Sequence, residues 1–454
     1  MTSSLSLAGY RVGFVVLGCR TNQYEGDALA SELAERGAVL ADPSSEDLDG
    51  VVLLTCTVTA VADRKVRQEL RRLRRRHPRA ILVAAGCWAQ EADPREARRL
   101  GADHLVGNRL KAAIPDLLSR LRAGEEVPFL NRRDVGSCGD WDDLRLSRTC
   151  RHTRAFVKVQ DGCSHGCRYC IVPRVRGRSV SRPPEDVLEE VRGLVGSGCR
   201  EVVLTGVHLG LYGRDRGTDL GELVKRLARV EGLVRLRFGS LEPFGLGESL
   251  LDVLGETEIF CPHLHLPLQS GDDGVLDRMG RGYTAAAFAR LVEAARRRLG
   301  EDLHVSTDLL VGFPGEEEGA FRNTLELVEA LGLGRLHVFP YSPRAGTPAA
   351  AWSRPEPAAL RERVQRALGL GRTLLDRFAS RFLGREVEVL VERASEGEGD
   401  GLCPAFVRVR GRMSAPAGSL GRLVPRSVRD GVLRDRSPEE GDETCPGPEE
   451  DVLP

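Results

Sequence analysis

Cys163, Cys167 and Cys170 fall within the run Asp161-Gly-Cys-Ser-His-Gly-Cys-Arg-Tyr-Cys170, a C-x3-C-x2-C triplet with an aromatic residue, Tyr169, ahead of its last cysteine. Thiolates are soft ligands that select zinc, copper(I) or iron-sulfur clusters. A closed structural zinc site takes a fourth Cys or His at matching spacing, and no second cysteine pair follows to supply it. A four-iron cluster on three cysteines leaves one iron open to an outside chelator that carries an amine and a carboxylate. S-adenosylmethionine (SAM) carries both. His165, inside the triplet, reads as a loop residue, because the open iron is needed for that chelation.

Other cysteines are spread more widely. Apolar runs at 12–17, 51–54 and 81–85 end at Gly18-Cys19, Thr55-Cys56 and Gly86-Cys87. Helical patterns lie between them, so residues 11–122 read as an α/β domain with an open parallel sheet covered by helices. The carboxyl ends of such strands share one edge, where ligands bind. Cys19, Cys56 and Cys87, each just past a different strand, would converge there; unrelated buried thiols would not repeat one position three times. Cys138, Cys150, Cys199, Cys261, Cys403 and Cys445 lack ligand spacing and read as ordinary small residues.

From residue 153 strands and helices alternate again, with strands expected at 156–159, 202–204, 234–238, 263–268, 305–311 and 336–339. Repeated units of this kind suggest a (β/α) barrel, complete or partial, with the triplet loop at the carboxyl mouth where barrel chemistry sits. Gly206, Glu242, Gln269, Asp308 and Gly312 stand at later strand ends and with Tyr169 are candidates to line a SAM pocket, although each alone is common turn chemistry. His263 and His265 share a strand face and read first as hydrogen-bonding groups of the barrel interior. A helix is expected over 355–382. Alternating runs at 386–391 and 405–409 then indicate a small all-β barrel reaching about residue 433, interrupted by a loop at 395–400.

The chain thus divides into an extension (1–10), the N-terminal α/β domain (11–122), a polar linker (123–150), the barrel (151–380), the small β domain (381–435) and an acidic tail (436–454) expected to be disordered. Between the second and third cysteines of the first domain, Val66, Leu70, Leu73 and His77 share one helical face. Arg64, Arg67, Arg71 and Arg74 or Arg75 share another. That stripe suits RNA phosphates or simply a solvated face.

Sixty-six basic residues balance 66 acidic ones, so overall charge gives no argument for nucleic acid. Lysine occurs only at Lys65, Lys111, Lys158 and Lys225, which marks a compositional bias toward arginine. The first residues, Met1-Thr-Ser-Ser-Leu-Ser-Leu7, carry no charged region or long apolar stretch, and no segment has the length of a membrane span. Twelve cysteines in such a chain point to metal or catalytic use in a reducing cytoplasm, not to a disulfide framework.

The triplet and its approach, Arg154-Ala-Phe-Val-Lys-Val-Gln-Asp-Gly-Cys163, resemble the radical SAM methylthiotransferases. So do Leu17-Gly-Cys-Arg-Thr-Asn-Gln-Tyr-Glu25, Thr55-Cys-Thr-Val-Thr-Ala-Val-Ala-Asp-Arg-Lys65, Ala85-Gly-Cys87 and Leu204-Thr-Gly-Val-His-Leu-Gly210. The likeness spans residues 10 to 350 and extends more loosely to 433, where the small β domain resembles the RNA-gripping TRAM domain. It implies two [4Fe-4S] clusters, one on Cys163, Cys167 and Cys170, the other on Cys19, Cys56 and Cys87 for sulfur delivery. SAM would act twice, as methyl donor and as source of a 5′-deoxyadenosyl radical. The family's usual Asn-Thr-Cys is Leu54-Thr55-Cys56 here, which removes an amide beside the ligand.

Asn22-Gln-Tyr-Glu25, Arg176-Gly-Arg178 and Val203-Leu-Thr-Gly-Val-His208 resemble the branch acting on N6-threonylcarbamoyladenosine at position 37 of tRNA. The implied partners are a tRNA anticodon loop, a cellular electron donor and a sulfur source. One of Arg174, Arg176 or Arg178 would bind the threonylcarbamoyl carboxylate, unless it binds tRNA phosphate or pairs with an acid. No catalytic side chain is assigned beyond the cluster ligands. The alternatives are methylthiolation of isopentenyladenosine in tRNA or of a ribosomal-protein aspartate. A non-catalytic iron-sulfur protein that binds RNA or senses redox state is a further one.

Overall fold

The structure, a computed structural model, describes residues 6–137, 139–146, 153–353 and 355–436. Cys138, Cys150, Cys445 and the expected acidic tail from 437 onward lie outside them.

Six strands form the N-terminal sheet: β1 (Arg11–Val16), β2 (Val39–Ala41), β3 (Gly50–Thr55), β4 (Ile81–Gly86), β5 (His104–Val106) and β6 (Leu130–Asn131). All pair in parallel, in the order β2-β1-β3-β4-β5-β6. The direction of winding reverses between β1 and β3, which opens a crevice at their carboxyl ends. In β3, Val52 and Leu54 join the core shared with the barrel, while Val51 and Leu53 pack with Val66, Leu70 and Leu73 of helix Ala60–Arg76. Burying each of those helix side chains stabilises the fold by about 1.5–3 kcal/mol. Thr59 caps that helix by accepting from the Ala62 N–H, and it stops at His77 before Pro78.

The stretch expected as a linker, 123–150, is described over 123–137 and 139–146, and these residues are anchored to the fold at several points. It supplies the edge strand β6, and Val135, Asp142, Leu144 and Leu146 are buried. Its polar sequence hid a two-residue strand, too short to show an alternating pattern. Leu7, within the expected extension, is likewise fully buried.

In the barrel, β7 (Arg154–Lys158) pairs with β10 (Glu201–Thr205), and β10 with β11 (Arg235–Phe238). The short β8 (Gln160–Asp161) and β9 (Val180–Ser181) form a ribbon beside the triplet loop. The other half is β12 (His263–His265), β13 (His304–Val311) and β14 (Arg335–Pro340), also parallel. Bridges Leu236–Phe260 and Ser240–His265 join the halves into an arc of six strands. Among the described residues no pairing connects β7 with β14, so the barrel is partial. Helix Pro357–Ala379 packs along β14.

The C-terminal strands β15 (Val387–Ser395), β16 (Glu398–Leu402), β17 (Arg408–Arg412), β18 (Leu420–Leu423), β19 (Ser427–Arg429) and β20 (Val432–Arg434) curl into a half-barrel in the order β18-β15-β16-β17-β20-β19. The expected loop at 395–400 is a tight hairpin: Glu396 and Gly397 take φ of 51° and 82°, and β16 starts at once. The expected run at 405–409 begins later, at Arg408, because Phe406 is turned to φ 60° and lodged under the barrel. Its ring stacks on His263 at 4.5 Å, with the guanidinium carbons of Arg154, Arg237 and Arg335 at 5.0–5.7 Å. Arg154, His263 and Arg335 are the first residues of β7, β12 and β14, so the half-barrel seals the end opposite the triplet. Among the described residues no helix is long and apolar enough to cross a membrane.

Candidate active site

Local backbone geometry delivers Cys19, Cys56 and Cys87 to one place. Cys19 caps helix Arg20–Glu35 after β1, Cys56 follows β3, and Cys87 opens helix Cys87–Glu91 directly after β4. Cys19 and Cys56 flank the crevice where the winding reverses. Gly18 and Gly86 have φ of 107° and 105°, and a Cβ on Gly18 would lie 2.7 Å from Cys56 Cβ and 3.2 Å from its Sγ. Only glycine allows that approach. Burial, with the neighbouring Cys87 and Cys19 thiols, pushes the Cys56 thiol up to about 12. Where the family phrase has an amide, Leu54 is buried in the core. Thr55 Oγ1 instead ties the loops, donating to Ala85 O and accepting from the Ala89 N–H.

Cys163, Cys167 and Cys170 lie together on the loop after β8, at the carboxyl mouth. Burial pushes the Cys170 thiol up to about 12. Burial acts the same way on Cys167, but His165 and Arg281 outweigh it and hold that thiol below its ordinary range. Arg281 Nη1 lies 3.3 Å from Cys167 Sγ. The same guanidinium reaches Tyr169 OH at 3.4 Å, Tyr283 OH at 3.1 Å and Pro267 O at 3.2 Å, and it pairs with Glu242. His165 stacks on Phe244 with ring centroids 4.5 Å apart, its Nε2 meets Gly280 O at 3.1 Å, and its ring also hydrogen-bonds Cys167.

Arg281 gathers two of the expected pocket residues, Tyr169 and Glu242. Asp308 pairs with His265 at 3.0 Å, and Gln269, at φ 69°, donates its N–H to the Asp308 carbonyl. Gly206 packs on Gln160, where a Cβ would come within 2.9 Å. Gly312 sits apart, against Leu360 and Pro355, with its N–H donated to Glu316 Oε2 at 2.6 Å. His263 and His265 both meet Ser306 Oγ at 2.9 Å, as interior hydrogen-bonding groups.

The residues present fit an iron-sulfur cluster and a small polar ligand. Among the described residues no three Cys, His, Asp or Glu side chains form the shell of a single metal ion. Thiolates that each bond a different iron of one cluster need no such shell. Near the mouth His208 is buried, and neither ring nitrogen has a partner among the described residues. Burial pulls its imidazole down to about 4, so it stands neutral, with one donor and one acceptor for a ligand to satisfy.

Of the three arginines after the triplet, Arg176 takes the acid-pairing alternative and not the substrate-binding one. It is 2 % exposed and donates to Glu25, Asp161 and Asn22, with its Nε 3.3 Å from Cys87 Sγ. Around it Lys158 pairs with Glu25 and Asp161 at 2.7 Å, Lys111 with Glu25 at 3.1 Å, and Arg109 with Asp161 at 3.8 Å. Although burial opposes ionisation of Asp161, Lys158 and Arg176 hold it well below the carboxylate range. This network joins the N-terminal domain to the barrel. Arg174 is exposed and paired with Glu91 at 3.0 Å; Arg178 is exposed and forms no ion pair among the described residues.

Helix Ala60–Arg76 starts a few residues past Cys56, and its arginines divide. Arg67 bonds Glu96 at 2.7 Å, and Arg74 pairs with Asp103. Arg64, Arg71 and Arg75, on one face, are exposed and without an ion pair among the described residues. Sequence reasoning missed Arg281, Lys111, Arg109 and Asn108. Glycines on both sides of Arg281, in Met279-Gly-Arg-Gly-Tyr283, were the one local signal.

Residues 157–328 match the Radical SAM superfamily, and residues 11–107 match a family described as Uncharacterized protein family UPF0004. The Threonylcarbamoyladenosine tRNA methylthiotransferase MtaB of Bacillus subtilis is 35% identical over 84% of this chain and 85% of that protein. A tRNA-2-methylthio-N(6)-dimethylallyladenosine synthase of Cereibacter sphaeroides is 36% identical over 90% of this chain and 93% of that one. Among solved structures, the radical S-adenosylmethionine methyltransferase TsrM from Kitasatospora setae superposes with a TM-score of 0.58 at 15% identity, covering 86% of this chain and 80% of that one. That likeness concerns the fold alone.

Proposed function

The chain belongs to the radical SAM tRNA methylthiotransferases, and we propose that it methylthiolates C2 of N6-threonylcarbamoyladenosine at position 37 of tRNA. The observation that carries this reading is the placing of two cysteine groups at either end of one short helix. Helix Val172–Arg176 begins two residues after Cys170 and ends at Arg176, against Cys87, with about 9 Å of rise from Cys170 to Arg176. Ile171, Val175 and Cys87 form a small apolar cluster between them.

Bound at Cys163, Cys167 and Cys170, a [4Fe-4S] cluster with SAM supplies a 5′-deoxyadenosyl radical, and a second cluster on Cys19, Cys56 and Cys87 supplies sulfur. Arg281 offsets thiolate charge at Cys167 and orients Tyr169 and Glu242 around it. His208 offers a neutral imidazole to the ligand in the mouth. An anticodon loop suits this opening, since its unstacked bases can be splayed into a pocket. Arg64, Arg71 and Arg75 hold the RNA backbone near Cys56. Electrons and replacement sulfur come from a cellular reductant and a sulfur source.

The threonylcarbamoyl target is favoured by its carboxylate. Of the two arginines left exposed after the triplet, Arg178 has no competing acid among the described residues, and a guanidinium binds a carboxylate through paired hydrogen bonds. Arg178→Gln is expected to weaken turnover of the threonylcarbamoyl nucleoside selectively. The similar identity of the dimethylallyladenosine synthase supports isopentenyladenosine as the second reading. Mass analysis of tRNA nucleosides from cells lacking the gene decides between them. Loss of 2-methylthio-threonylcarbamoyladenosine is expected; its persistence with loss of the isopentenyl product instead would overturn the assignment.

A further inference from the structure

Arg176 occupies a position that neither cysteine group alone requires. Its Nε–H points to Cys87 Sγ at 3.3 Å, while Nη1 and Nη2 are taken by Glu25, Asp161 and Asn22 at 2.6–3.3 Å. The next residue belongs to the other group: the Gly177 carbonyl accepts the Cys163 N–H at 3.0 Å. Asn108 repeats the bridge, donating Nδ2 to Val175 O at 2.6 Å and lying 3.5 Å from Cys87 Sγ. Arg109 clamps the carbonyls of Arg176 and Arg178 at 2.8 and 3.1 Å. The buried network counts four bases, Arg109, Lys111, Lys158 and Arg176, against three acids, Glu25, Asp161 and Asp142. Buried charge is costly unless paired. Arg176 is the base of this network whose N–H is aimed at Cys87 Sγ.

We propose that Arg176 is a positioning residue that raises the reduction potential of a cluster held by Cys19, Cys56 and Cys87, while fixing that group against the loop of Cys163. The inference rests on the reading that these three cysteines hold a cluster. Hydrogen bonds to cluster sulfurs and nearby positive charge favour the reduced, more negative state. Its removal therefore makes the cluster harder to reduce.

The experiment uses the full chain with Cys163, Cys167 and Cys170 replaced by alanine, reconstituted with iron and sulfide, so that one cluster remains. Potentiometric titration followed by electron paramagnetic resonance reads the potential. Arg176→Met is expected to weaken reduction at least tenfold, about 59 mV for a one-electron couple. Arg176→Lys keeps a charge against Glu25 and Asp161 but lacks the Nε–H, and it is expected to fall between. The lysine variant decides the question if the methionine variant does not fold. An unchanged potential in a variant that holds its cluster overturns the inference and leaves the cluster reading intact. If the parent with three alanines takes up no iron, the cluster reading itself fails and the inference with it.

Discussion

The two cysteine groups reach similar ends by opposite routes. Cys163, Cys167 and Cys170 belong to one loop, and their spacing is written in consecutive residues. Cys19, Cys56 and Cys87 come from the ends of three strands and meet because β1, β3 and β4 are neighbours in one parallel sheet. Their electrostatic settings differ too. In the loop group Arg281 and His165 hold Cys167 below the ordinary thiol range while burial pushes Cys170 up; in the sheet group burial and its cysteine neighbours push Cys56 up. A group carried on one loop tolerates changes elsewhere in the fold, while a group assembled from a sheet depends on the register of every strand beneath it.

The sharpest break in this comparison is to delete one group at a time. With Cys163, Cys167 and Cys170 changed to alanine, reductive SAM cleavage is expected to vanish. With Cys19, Cys56 and Cys87 changed instead, cleavage should persist while no methylthio product forms. Iron content should fall in each case from about eight to about four per chain. Loss of SAM cleavage from the second set would erase the division of labour.

Next in size is Arg281→Leu, which removes the countercharge of the loop group and leaves Glu242 without its partner. Denaturant unfolding should show a loss of about 2 kcal/mol. Together, Arg64→Gln, Arg71→Gln and Arg75→Gln act beside the sheet group alone. The logarithmic salt dependence of tRNA binding should flatten by about 2, with SAM cleavage on the loop group unchanged. An undiminished slope would return that stripe to a solvated face.

The last effect, confined to one buried carboxyl away from both groups, is a pH slope near Gly312. Burial pushes the Glu316 carboxyl up to about 7, so the folded chain holds a proton there that the unfolded chain has already lost. Stability from this group is present below about 4.5, the ordinary glutamate value, and declines as pH rises to about 7. Glu316→Gln should flatten that part of the stability profile, and a slope that survives would belong to another group.

Much of this was legible in the sequence for the reason the cysteine groups differ. The loop triplet needed no fold to be seen. The sheet group needed a correct reading of three strand ends, and runs such as 51–54, buried on both faces, were apolar enough to give it. What escaped has no periodic signature. Leu130–Asn131 is a strand only because β5 lies beside it. Arg281 looks in sequence like any of the chain's many arginines, and Arg176, already a candidate for pairing with an acid, gave no sign there of Cys87. Their burial against Cys167 and Cys87 follows from contacts between residues more than 80 positions apart.

Phe406 makes the C-terminal half-barrel a stopper, keyed into the underside of the barrel among Arg154, Arg237, His263 and Arg335. That underside and the cysteine mouth are separated by the length of β13, whose eight residues span roughly 25 Å. The half-barrel is thus seated a full strand length from the thiols.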